Sequence, residues 1–226
     1  MKIANTIDLV LHWLKWPVAG LALVLLPGTI FASFDLIRQI AGQPSLIWPF
    51  ISGCVLYALL WRLVFRHRVF GTLLSTFEHE LTHTLFALAT FHPVTEFRAT
   101  AYRGGHVSVR GRGNWLITIS PYFFPTACVF VGLMSWLVSV NSTVWSSGLM
   151  GFAFAYHIVA TKEETHPGQS DLRRVGFLFA AMFLPTAVLI SMGSVVAFSC
   201  GGWGLLGAFW GDVWQHSRNL LSGGIR

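Results

Sequence analysis

The chain predicts an all-α polytopic membrane protein of about six transmembrane helices, with a short β-hairpin between the third and the fourth. Three observations carry this. Of 226 residues, 54% are hydrophobic and only 11% charged, where soluble domains hold about a quarter charged. Apolar segments near the 20-residue length that spans a bilayer recur along the chain. Between two of them lies a polar stretch with a two-residue alternation rather than a helical one.

The first span is expected over residues 16–34 and the second over 46–65, with Arg62 near its end, where it can snorkel. The N-terminal stretch "MKIANTIDLVLHWLKWPVAG" has Asp8, His12 and Lys15 in its apolar run and no small-residue cleavage site. It is read as retained. The third span is expected over 69–91, the fourth over 115–140, the fifth over 144–161 and the sixth over 172–200. The Gly- and Trp-rich remainder, 201–226, reads as an interfacial tail. This divides the chain into two N-terminal helices (1–68), a core (69–200) and the tail. Seven basic residues fall on the side of the termini and eight opposite, so charge does not orient the chain.

The net charge of +6 suits anionic headgroups beside apolar segments better than nucleic acid, and no nucleic-acid partner is expected. The lipid bilayer is the expected surrounding. Cys54, Cys128 and Cys200 fit no zinc or redox spacing and read as small buried hydrophobes.

Two connectors are more than links. In "HPVTEFRATAYRGGHVSVRGRGN", Phe97, Ala99 and Ala101 alternate, "RGG" signals a turn, and Val107 and Val109 alternate again, as in a hairpin. The second, "TKEETHPGQSDLRR", is densely polar. The six-span topology puts both on one side of the membrane.

The third span contains "FEHELTH". On a helix, residues i and i+4 share a face, so His79 and His83 can present two imidazoles to one Zn²⁺. Glu80 can reach a water beside the metal as general base. A charge near the bilayer centre costs roughly 3 kcal/mol, and these residues lie about ten positions from either end of their span. An ionisable residue there is by default functional; a polar cluster tying helices together is the alternative. Glu78 points about 100° away from His79. A catalytic zinc usually has three protein ligands. Asp171, His157, Glu163, Glu164 and His166 are the candidates for the third, with Asp171 favoured by its position at a helix start.

These residues resemble the site-2 protease family of intramembrane zinc metalloproteases, in its small bacterial-type form. The resemblance rests on "HELTH" in a spanning helix, the Gly-containing hairpin "TEFRATAYRGGHVSVRG", a span opening "ISPYFFPT", and the later Asp in "HPGQSDL". It covers roughly residues 70–185. It implies His79, His83 and Asp171 as zinc ligands and Glu80 as the catalytic base. Thr82 stands where many members have Gly, and no Asp-Gly pair occurs. The expected reaction is hydrolysis of a peptide bond in or near a transmembrane segment of a membrane-protein substrate. The expected place is a bacterial cytoplasmic membrane. The hairpin, with Gly104, Gly105 and His106, would hold the substrate extended by adding a strand, or simply shield the site. Asn114 or His157 would supply an oxyanion donor. A non-catalytic membrane scaffold that keeps the motif is the competing reading.

Overall fold

A computed structural model describes residues 2–65, 70–100, 104–137, 143–165 and 168–223. The chain is mostly helical with one two-stranded antiparallel sheet. Helix α1 runs Lys2–Ala41 and α2 runs Pro44–Leu60, continuing as one wider turn of π-helix over Trp61–Phe65. Helix α3 is Phe70–Ala89. The hairpin follows as β1, Val94–Thr100, and β2, Gly104–Val109. Then come α4 (Trp115–Ile119), a 3₁₀ turn (Ser120–Tyr122), α5 (Thr126–Leu137), α6 (Thr143–Glu164), α7 (Ser170–Val175) and α8 (Phe177–Leu221).

Among the described residues, three helices are long and apolar enough to cross a membrane: α1, α2 with its extension to Val64, and α8. The pair α4–α5, bent by 80° at its break, would make a fourth. The six expected spans are therefore not all present as such. The reasons are local. The expected fourth span is interrupted where Pro121 and Pro125 lie within a few residues of each other and remove helix donors. The expected fifth, α6, ends in the polar run "TKEE". The expected sixth is present in α8 but starts at Phe177 rather than at residue 172, because Gly176, with φ 92°, separates α7 from α8. The expected third, α3, carries too many polar residues to count as apolar. Within the windows that qualify, only 17–28% of residues are buried, so their apolar side chains mostly face outward, as lipid contact requires.

The segment 201–226, expected as an interfacial tail, is helical as far as Leu221. Its start is a reversal. Gly202 has φ 61° and ψ −151°, outside helical geometry. Phe209 then packs on Gly193, although sixteen residues of straight helix would hold them about 24 Å apart. The two halves of α8 form a hairpin, and both lie along α1. Thr186 Oγ1 donates to the Ala22 carbonyl at 2.6 Å in the first half. In the second half, Gly28 meets the Ser217 backbone, and His216 Nε2 lies 2.8 Å from Asp35 Oδ2. Leu36, Ile40, Leu205, Phe209 and Val213 belong to the main apolar core. Small residues make the approach close: Gly53 and Gly151 play the same part between α2 and α6.

The N-terminal stretch before Trp16 is helical too, and it is docked. Trp115 Nε1 donates to the Leu11 carbonyl at 2.6 Å, and Lys15 Nζ to the Val175 carbonyl at 2.7 Å. A second apolar cluster, Ala19, Ile119, Tyr122, Leu172, Val175, Phe179 and Ala180, lies beneath these contacts. It fixes α4, α7 and the start of α8 against α1, and so positions the site.

Candidate metal centre

Helix α3 is inside-out. Thr76, Glu78, His79, Glu80, Thr82 and His83 are buried, whereas Leu73, Leu74, Phe77, Leu85 and Leu88 are exposed. A soluble helix turns its apolar stripe inward. The reverse order leaves buried polar groups that must be satisfied by one another. It also explains why α3 holds many polar residues while presenting an apolar exterior.

Four of these buried groups have specific partners: Glu78, His79, Thr82 and His83. Glu78 Oε1 accepts from the Ala127 backbone N–H at 2.9 Å, in the first turn of α5, where an anion suits the helix dipole. The same oxygen lies 3.4 Å from His157 Nδ1. Thr82 Oγ1 donates to the Glu78 carbonyl, and its oxygen also meets Thr126 Oγ1. Thr82, noted as a departure in the motif, is thus part of the α3–α5 contact.

His79 and His83 turn the other way, toward Asp171 in the first turn of α7. Asp171 Oδ2 lies 3.4 Å from His79 Nε2 and 3.3 Å from His83 Nε2. One donor atom from each of the three falls within 4.8 Å of the others. Burial pushes the Asp171 carboxyl up, but hydrogen bonds from the two histidines outweigh it and hold the group below the ordinary carboxylate range. On the far side of its ring, His83 Nδ1 lies 2.7 Å from the Ile117 carbonyl oxygen. A carbonyl only accepts, so Nδ1 carries the proton. In the neutral ring Nε2 is then a lone pair facing a carboxylate oxygen. Two acceptors at 3.3 Å need a positive charge between them, either a proton or a metal.

The donor set fits a metal. Two imidazoles and a carboxylate are a common zinc set. Bonds of 2.0–2.1 Å at tetrahedral angles put ligand atoms about 3.3 Å apart, which matches both histidine–aspartate separations. The Ile117 carbonyl on His83 Nδ1 fixes the ring and its tautomer, as metal-binding histidines usually require.

The three residues, with Glu80, line a cavity of about 330 Å³. Gly104, Gly105, His106, Asn114 and Glu164 line it as well. Both polar connectors therefore meet over one site. In the hairpin, Thr100 pairs with Gly104, Ala99 with Gly105 and Phe97 with Val107. The "RGG" turn signal is displaced: Gly104 and Gly105 lie in β2, and Ala101 and Arg103 fall outside the described residues. Gly105 has a different task. A Cβ there would run into the Glu80 side chain, so glycine lets the strand cross directly over Glu80.

The other candidates separate cleanly. His157 pairs with Glu78, about 100° round α3 from His79, and joins neither the His79–His83–Asp171 cluster nor the main cavity. Glu163 lines a separate apolar groove with Tyr57 and Tyr156. Glu164 reaches the main cavity, but its Oε2 accepts from Gln169 Nε2 at 2.9 Å. His166 lies outside the described residues. Asn114 caps α4, accepting from the Ile117 N–H at 3.1 Å, while its amide donates to Asp8 Oδ1 at 2.9 Å. His106 Nε2 is 2.9 Å from Ser108 Oγ. Sequence reasoning missed Tyr122, whose ring stands edge-on to His79 with centroids 5.4 Å apart. It also missed Arg112 and Arg174 at the cavity wall. Comparison of the chain with protein families, curated proteins and solved structures finds no match.

Proposed function

We propose that this protein is a zinc-dependent intramembrane metalloendopeptidase of the site-2 protease type, acting on a peptide bond in or near a transmembrane segment of a membrane protein. The observation that carries the reading is the face-to-face placement of the protonated-Nδ1 His83 and the Asp171 carboxylate, completed by His79, with Glu80 in the same cavity. His79, His83 and Asp171 would hold the ion. Zinc bound there supplies Lewis acidity, polarising a carbonyl and making water a competent nucleophile near neutral pH.

The chain's own residues do the rest. Glu80 takes the proton from the attacking water and returns it to the leaving amine. β2 crosses Glu80 at Gly105, and its strand geometry suits an extended peptide laid beside it by main-chain pairing. A helical peptide bond is shielded by its own turn, so an extended segment is what the base can reach. The polar interior of α3 keeps water available at a depth where its outer face meets lipid.

The test is metal content and cleavage, measured together. Wild-type protein in detergent should hold about one zinc per chain. Asp171→Ala should lose it. Glu80→Gln should keep it and lower cleavage of a reconstituted transmembrane substrate by about 10²–10⁴-fold. Wild type that takes up no zinc when it is supplied would end the proposal. So would Glu80→Gln cleaving at the wild-type rate.

A further inference from the structure

A second, larger cavity of about 710 Å³ adjoins the first, sharing Arg112, Asn114 and Arg174 in its wall. Asp8, His12 and Lys15 of α1 close its other side. Three of these six residues are permanent cations. Among the described residues none of Lys15, Arg112 and Arg174 forms an ion pair. Lys15 Nζ donates to the Val175 carbonyl, and Arg174 Nη2 donates to the Arg112 carbonyl at 3.2 Å. The cavity's one carboxylate, Asp8, is engaged elsewhere. Its Oδ1 accepts from Asn114, and its Oδ2 lies 3.1 Å from Nε2 of the fully buried His92. Three guanidinium and ammonium groups thus border one cavity against a single carboxylate, Asp8, which pairs with none of them. The excess of positive charge on this lining draws an anion in.

The depth of the cavity selects the anion. Trp13 and Trp16, beside Lys15 on α1, are 74% and 52% exposed. Exposed tryptophans on a spanning helix mark the headgroup level. Lys15 Nζ also stands over the Trp16 and Phe179 rings, 5.6 and 5.1 Å from their centroids. Immediately beyond lie Phe177 and Leu178, exposed at the start of α8, with Leu9 and Leu14 exposed on α1. Basic groups at the interface with an apolar surface directly below match a molecule with an anionic phosphate head and acyl chains.

We infer that this cavity binds the phosphate headgroup of an anionic phospholipid through Lys15, Arg112 and Arg174, next to the metal site. The inference stands on charge and position alone, independently of any proteolytic activity. A lipid seated there would fill the wall that the two cavities share, so the bilayer's anionic lipid becomes part of the site's boundary.

Native mass spectrometry of the full chain, exchanged into detergent with phosphatidylglycerol or phosphatidylcholine, is the experiment. One phosphatidylglycerol per chain should be retained under conditions that strip phosphatidylcholine. Arg112→Gln/Arg174→Gln should weaken retention about 25-fold, at roughly five-fold per interfacial cation. Both side chains are exposed, which favours correct folding, and Lys15→Gln gives a second, single-site variant with about a five-fold loss. Arg38→Gln, on the distant end of α1, should retain the lipid as wild type does. Equal retention of phosphatidylcholine overturns the inference, and so does undiminished retention by both the double variant and Lys15→Gln. Displacement by millimolar inorganic phosphate or by an acidic peptide would assign the cavity to a soluble anion or to a polypeptide instead, and would equally overturn it.

Discussion

Helix α3 and the α1–α8 pair solve opposite packing problems. α1 and the two halves of α8 meet through small residues: Gly28 of α1 against Ser217, and Gly193 against Phe209 between the halves of α8, with Ala19, Ala22, Ala32 and Ala197 buried. Without water between apolar helices there is no hydrophobic gain in bringing them together, so close van der Waals contact must hold them. α3 instead buries histidines, glutamates and threonines whose partners come from α4, α5, α6 and α7. The first contact is tolerant in chemistry and strict in shape. The second is strict in both. The largest effect should come from violating shape. Gly28→Leu would drive a side chain into the Ser217 backbone, which cannot turn aside as a flexible side chain can. A loss of about 3 kcal/mol is expected, read as a lowered unfolding midpoint in detergent. Zinc bound per folded chain should stay unchanged.

The same kind of change at Gly105 separates shape from stability. The hairpin is exposed on much of its surface, so Gly105→Val should unfold little. Its Cβ would nevertheless meet Glu80, and a displacement of about 1 Å at a reacting group can reduce turnover about 10²-fold. The expected signature is lost cleavage with zinc retained. Lost zinc would mean that β2 supports the ligands as well as the base.

What could be read from the chain follows the same division. The H-E-x-x-H spacing places His79 and His83 on one helical face by period alone, and the hairpin's alternation is equally local. Asp171 comes from the chain's far half, and only the α7 start and the Gly176 break bring it under the histidines. His157 stays a candidate in sequence behind Asp171, because nothing local reveals that it pairs with Glu78. The count of spans was misjudged for a related reason. Length and apolarity do not show that Pro121 and Pro125 fold one segment through 80°, or that Gly202 turns another back on itself. Nor could composition show that α1 begins at Lys2 and docks its polar first turns at the site.

Within α3, the Glu78 network gives a sharper comparison with the ligands beside it. Glu78→Ala would strand the Ala127 N–H and His157 Nδ1 in a buried place. Hydrogen bonds to a charged group contribute about 1.5–3 kcal/mol, and a loss of about 2 kcal/mol is expected. Glu78→Gln, which keeps an acceptor oxygen, should recover part of it. In both variants zinc content should remain near wild type, since Glu78 turns to Ala127 and His157 rather than to Asp171. Zinc lost from Glu78→Gln would show the two faces of α3 to be one coupled unit.

The smallest effect is expected where a charge sits on the outside of the other region. Arg38 Nη1 lies 3.5 Å from Asp35 Oδ1 on α1, one turn apart, with side chains 81% and 42% exposed. An exposed pair at this spacing contributes about 0.3–0.5 kcal/mol at most. Asp35 would also keep its contact with His216 at 2.8 Å. Arg38→Gln should therefore shift the unfolding midpoint barely beyond error and leave zinc untouched. A shift as large as that of Glu78→Ala would break the comparison, because it would mean that this end of α1 sits in a medium too apolar to screen the pair. The ionic strength distinguishes the cases: a solvated pair weakens as salt rises, whereas a pair shielded by lipid does not.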